Sequence, residues 1–247
     1  MANPICFALD FPNLGTAANF IQEHSLYHHV GAVKVGLELF VAAGPRAIEV
    51  LSPFGLPIVL DLKLHDIPET VARAVKAGGD LGVKYMTMHI QQRSTLEAAL
   101  KAAEPFGITL LGVTVLTSMS EVDCQTLRLV GTWPPFSSSR GGPSMGPTCW
   151  PADRAQHLAQ FAYEVGLRGF VCSPQEVRSL KEACPEGFFL VPGVRPAGSE
   201  TGDDQKRVGT PAQAVKDGAN LIVVGRPIRD AKDPVEAAKA ILHEIRS

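Results

Sequence analysis

Short apolar runs alternate with longer amphipathic stretches along almost the whole of the 247-residue chain. Eight runs stand out: Ile5–Asp10, Ala32–Leu37, Ile58–Lys63, Tyr85–Ile90, Thr109–Leu116, Gly169–Ser173, Phe188–Pro192 and Asn220–Gly225. They are near-continuously apolar rather than alternating, the pattern of parallel strands buried on both faces. The first five start 27, 26, 27 and 24 residues apart, and each interval has room for one strand, one helix and two loops. Eight such units in a chain near the roughly 250 residues of a (β/α)8 barrel predict an α/β fold, a single-domain TIM barrel over residues 1–247. An open doubly wound sheet is the competing architecture.

Helix starts keep the same phase. Ser94 and Glu97 have the spacing of a capping box, in which a side chain at the helix start and one three residues on satisfy each other's orphan N–H groups. Ser173-Pro174-Gln175-Glu176 and Thr210-Pro211-Ala212-Gln213 repeat it with Pro at the first helical position, and Asp233-Pro234-Val235-Glu236 is the acidic analogue. The rhythm breaks once, where 60 residues separate Thr109 from Gly169. Within that interval residues 131–150 read GTWPPFSSSRGGPSMGPTCW, twelve of the twenty being Gly, Pro or Ser. This segment is read as a loop inserted in the domain, a tolerated surface insertion in preference to a lid or partner contact.

Composition narrows the class. An apolar fraction of 45% fits a sizeable core and excludes a disordered chain. The 23 basic and 25 acidic residues nearly cancel, which gives no general attraction to nucleic acid or to an anionic membrane. No apolar run reaches the roughly 18 residues of a membrane span. The N-terminal residues lack a basic region and a cleavage site, so no signal peptide is expected. Five cysteines, without metal-like spacing, read as reduced structural thiols in a cytoplasmic protein.

The densest chemical signal is DLKLHDIPET at 61–70. Asp61 and Lys63 are two apart near the end of a buried strand, so they share a face. In a barrel that face is the interior, at the C-terminal mouth where active sites sit. Asp10 closes the first run and Lys34 sits inside the second, with Asp66 just beyond the third. Buried charges are costly unless paired or used. Alternating lysines with aspartates removes the repulsion that neighbouring carboxylates would suffer. The late loops suit an anion: PGVRPAGSETGDDQKR follows the seventh run and Gly225-Arg226 ends the eighth, where barrels frequently bind phosphate. Arg195, Gln205 and Arg226 supply side-chain donors there. Thr117 and Ser118, after the fifth run, are candidates to hydrogen-bond a ligand, with a turn role nearly as strong. His65 reads as packed or exposed, His28, His29 and His89 lack partners at metal spacing, and Cys172 reads as core.

These residues together resemble the orotidine 5′-phosphate decarboxylase family, in its bacterial type. The matching pieces are FALD (7–10), VKVGLELF (33–40), DLKLHDIPET (61–70), VTVLTSM (113–119), VCSPQE (171–176), PGVRPAGSETGDDQKR (192–207) and VVGRPI (223–228). They run in family order over nearly the entire chain. The resemblance implies conversion of orotidine 5′-monophosphate to UMP in pyrimidine biosynthesis, with no metal and no organic cofactor. It implies Lys63 as proton donor to C6 of the pyrimidine and Asp61 beside the leaving carboxylate. Asp10 and Lys34 hold the ribose hydroxyls and the charge network, and Thr117 and Ser118 lie near the base. Arg195, Gln205, Gly225 and Arg226 grip the phosphate. It also implies a homodimer in which Asp66 and Thr70 reach the neighbouring subunit's site.

Two other readings are weighed against it. Related sugar-phosphate barrels share an Asp-x-Lys strand but use Mg²⁺, with a carboxylate on the second strand where this chain has Lys34. A phosphosugar- or nucleotide-binding module on a barrel scaffold would not need the interior Asp61/Lys63 pair.

Overall fold

The computed structural model describes residues 3–126, 151–196 and 207–247. Eight strands close into one barrel in sequence order, each parallel to its neighbours. They are β1 (Ile5–Ala8), β2 (Ala32–Val35), β3 (Ile58–Leu64), β4 (Tyr85–His89), β5 (Thr109–Val113), β6 (Gly169–Val171), β7 (Phe188–Val191) and β8 (Leu221–Val224). Each of the eight apolar runs holds one strand, and closure of β1 on β8 excludes the open sheet. The runs overreach most strand ends by a few residues, because the apolar pattern continues into the loops at the mouth. Asp10 accordingly lies beyond the end of β1 rather than in it.

The two faces of each strand explain the continuous apolar pattern. Inward side chains of Cys6, Ala32, Val59, Leu111, Leu190 and Leu221 plug the barrel, with Tyr85 stacked on Phe188 at 5.1 Å. Outward side chains such as Phe7, Val33, Leu60, Phe170 and Ile222 pack under the surrounding helices in a second, larger cluster. Burying both faces needs apolar residues at consecutive positions, and the alternation seen in half-exposed sheets disappears.

Helix caps are met in part. Thr210 accepts from the Gln213 N–H, and Asp233 accepts from both Val235 and Glu236. Glu176 reaches back to the Ser173 N–H at 2.9 Å, but the helix itself begins at Val177. Ser94 is not a cap. The helix Arg93–Ala103 starts before it, with Gln92 at the cap position and no side-chain cap bond. The segment 131–150 lies outside the described residues. No helix among the described residues is long and apolar enough to cross a membrane.

Candidate active site

The inward row of each strand changes character toward the mouth. Two residues past the plug, the same face presents Ala8, Lys34, Asp61, Val113, Val171 and Val223, which line a cavity of ≈ 570 Å³. Asp10, Lys63, Thr117, Ser118, Arg195, Gly225 and Arg226 join them from the strand ends and loops above. One ring of inward positions therefore closes the core and the next opens the site.

The floor holds an alternating charge network. Lys34 Nζ lies 3.1 Å from Asp10 Oδ1 and 3.6 Å from Asp61 Oδ2, and Lys63 Nζ donates to Asp61 Oδ1 at 2.8 Å. Burial alone pushes the Asp61 carboxyl up, but Lys34 and Lys63, with hydrogen bonds from Lys63 and Thr87, outweigh it and hold it below the usual carboxylate range. Burial likewise pulls the Lys34 ammonium down, and Asp61 and Asp10 more than restore it above its ordinary value. Both groups are charged at neutral pH. Gly36 leaves room for this pairing, since a Cβ there would sit 2.8 Å from Lys34 Nζ and 3.3 Å from Asp10 Oδ1.

Lys63 occupies an unusual backbone state. Its φ is 50°, and among the described residues only Ser25 shares a positive φ without being glycine. Such a conformation costs on the order of 1–3 kcal/mol and collects at functional sites. The register of β3 on β4 shifts here, between Leu60 and Leu64.

Arg195, Gly225 and Arg226 line the same cavity from the segments after β7 and β8. Arg195 donates Nη1 to the carbonyl of Val194, and its N–H bonds Gly209. Gln205 lies outside the described residues. Asp66 and Thr70 stand apart from this cavity: both are exposed, and Asp66 Oδ1 accepts from the Ile67 N–H. Asp66 lines a second cavity of ≈ 920 Å³ with His65, His89 and Gln91. His65 is exposed with its ring 5.2 Å from that of His89, and Cys172 is buried against the first cavity.

Three contributors escaped the sequence reading. Thr87 Oγ1 donates to Asp61 Oδ1 and accepts from the Lys63 N–H, both at 2.9 Å. Arg229 lines the cavity and donates Nη1 to the Asp10 carbonyl at 2.9 Å. Arg207 forms a buried ion pair with Glu176 and donates Nη2 to the carbonyls of Val115 and Leu116, each at 2.9 Å. That one guanidinium ties the loops after β5, β6 and β7 together. The only sequence signal for Arg207 and Arg229 is their place in the late loops; Thr87 is an ordinary strand residue by type.

The chain is similar to known proteins over nearly its whole length. The model of the orotidine 5′-phosphate decarboxylase / HUMPS family matches residues 3–132 and 150–241. An orotidine 5′-phosphate decarboxylase of Sphingopyxis alaskensis is 45% identical over 242 residues, covering 98% of each chain. One from Anaeromyxobacter sp. is 44% identical over 239 residues, covering 96% of each. A crystal structure of orotidine 5′-phosphate decarboxylase from Lactobacillus acidophilus superposes with a TM-score of 0.79 at 33% identity, covering 99% of this chain and 100% of that one. With the barrel fold and near-complete coverage in agreement, the chain belongs to the orotidine 5′-phosphate decarboxylase / HUMPS family.

Proposed function

We propose that this protein converts orotidine 5′-monophosphate to UMP in pyrimidine biosynthesis, with Lys63 delivering a proton to C6 and with neither metal nor organic cofactor. The observation that carries this reading is the Asp10–Lys34–Asp61–Lys63 alternation on the cavity floor. When the substrate carboxylate leaves as CO₂, the bonding pair stays at C6. A fixed ammonium next to that carbon stabilises the developing charge and then fills the vacancy with its proton. Lys63 is left as a neutral amine and regains its proton from solvent. Asp61 holds Lys63 and Lys34 in place beside the departing carboxylate. Asp10 and Lys34 take the ribose hydroxyls, and Thr117 and Ser118 border the base. Arg195, Gln205, Gly225 and Arg226 hold the phosphate, far from C6, so that its binding energy serves to close the site around the base.

A divalent cation fits this donor set poorly. Mg²⁺ requires oxygen ligands in octahedral array, yet Lys34 and Lys63 already occupy the faces of Asp61. Support for a homodimer comes from what the cavity lacks. Asp66 and Thr70 are exposed and do not line the first cavity, and Ile67 between them is 63% exposed. Leu37 and Leu116, after β2 and β5, are exposed apolar residues at the same end of the barrel. A second copy over this face would bury them and bring Asp66 and Thr70 to its site.

The test is ultraviolet-monitored loss of orotidine 5′-monophosphate with and without chelator. Equal turnover in both is expected. No turnover sinks the reading, and turnover abolished by chelator favours the Mg²⁺-dependent members of the family. Lys63→Ala is expected to lower kcat by roughly 10³-fold or more while nucleotide binding stays detectable; retained turnover would show that another group donates the proton.

A further inference from the structure

We infer that Thr87 is a positioning residue for the reaction, its hydroxyl locking the Lys63 backbone and the Asp61 carboxylate into one unit that aims the Lys63 ammonium. The inference rests on the reading of Lys63 as proton donor.

The register of the sheet sets up this role. Leu60 pairs with Met86 and Leu64 with Met88, so the three residues Asp61, Leu62 and Lys63 stand opposite the single residue Thr87. A bulge of that kind re-aims side chains and takes backbone groups out of the ladder. The Lys63 N–H, in its positive-φ conformation, finds the Thr87 hydroxyl oxygen at 2.9 Å instead. The same hydroxyl donates to Asp61 Oδ1 at 2.9 Å, and that oxygen accepts the Lys63 ammonium at 2.8 Å. A closed ring results, from Lys63 backbone through Thr87 and Asp61 back to the tip of the Lys63 side chain. A hydroxyl has one proton to give and lone pairs to receive, and here it does both. Thr87 is 1% exposed, so solvent is poorly placed to substitute for it.

The experiment compares wild type, Thr87→Val and Thr87→Ser in the decarboxylation assay. Valine keeps the shape and removes both hydrogen bonds; serine keeps them. Thr87→Val is expected to lower kcat about tenfold with KM changed less than about twofold, and Thr87→Ser to stay within about twofold of wild type. The charged and titratable groups near Asp61 are Lys34 from β2, Lys63 from its own strand, His89 from β4 and Cys6 from β1, with Asp10 beyond β1 paired to Lys34. Against that unchanged background, loss of the donated hydrogen bond moves the acid limb of the kcat–pH profile to higher pH in Thr87→Val. A packing role alone would lower Tm without moving that limb. If the valine variant does not fold, Thr87→Ala serves in its place with the same expected direction. A kcat within twofold of wild type for the variant lacking the hydroxyl overturns the inference, as does a serine variant as slow as valine. Wild type and Lys63→Ala run alongside: an inactive wild type or an active Lys63→Ala fails the functional reading instead.

Discussion

At Asp61 burial and charge act in opposite directions, and charge prevails. Its carboxyl sits below the usual range in the folded protein. It therefore contributes stability above the unfolded value of about 3.9, and that contribution fades as pH falls through the lower folded value. Lys34 is raised, so its contribution is complete below about 10.4 and is lost only as pH climbs through the higher folded value. Urea unfolding of wild type and Asp61→Asn is thus expected to give a stability difference that is flat from about pH 5 to 9 and shrinks below about pH 4. A difference that changed near pH 6 would assign the dependence to another group. Lys34, Asp61 and Lys63 were legible because a charge inside an apolar run is conspicuous. Thr87 was not, since threonine is a common strand former and its role depends on a bulge in the neighbouring strand.

Helix caps separate what local sequence specifies from what it suggests. Asp233 accepts two N–H groups at 3.0 Å each, so Asp233→Ala is expected to cost about 1 kcal/mol by chemical denaturation. Ser94→Ala should change stability by less than about 0.5 kcal/mol, because Ser94 caps nothing. The two look alike in sequence. Pro234 after Asp233 has its φ preset for the first turn and favours a helix start there, whereas nothing forbids the chain from turning helical one residue ahead of Ser94. Strands show the same limit. Their existence followed from apolar runs, but their ends did not, since residues such as Leu9 and Val115 are as buried in the loops as on the strands.

For the whole molecule, the proposed sharing of sites between two subunits makes a distinctive prediction. A Lys63→Ala chain keeps Asp66 for its neighbour, and an Asp66→Ala chain keeps its own Lys63. Each homodimer is expected to be nearly inactive. Co-refolded together, half of the dimers would be mixed, each with one intact site, restoring about a quarter of wild-type turnover. Mixtures no more active than their parts would mean that Asp66 acts within its own chain or not at all. Arg207 belongs to this scale as well, since its partner Glu176 stands on the preceding βα unit and the two meet only when β6 and β7 pair.

The amino-acid order by itself determined the number of strands, their parallel sense and the identity of the charged residues, because each is carried by local periodicity or by a charge where water is excluded. Tertiary structure decided which of those charges meet. The Asp10–Lys34 pair joins two βα units, the bulge at Lys63 arises from β3 pairing with β4, and Asp66 lines the second cavity rather than the first. Such contacts depend on the register between neighbouring strands, which leaves no mark on any short stretch of chain.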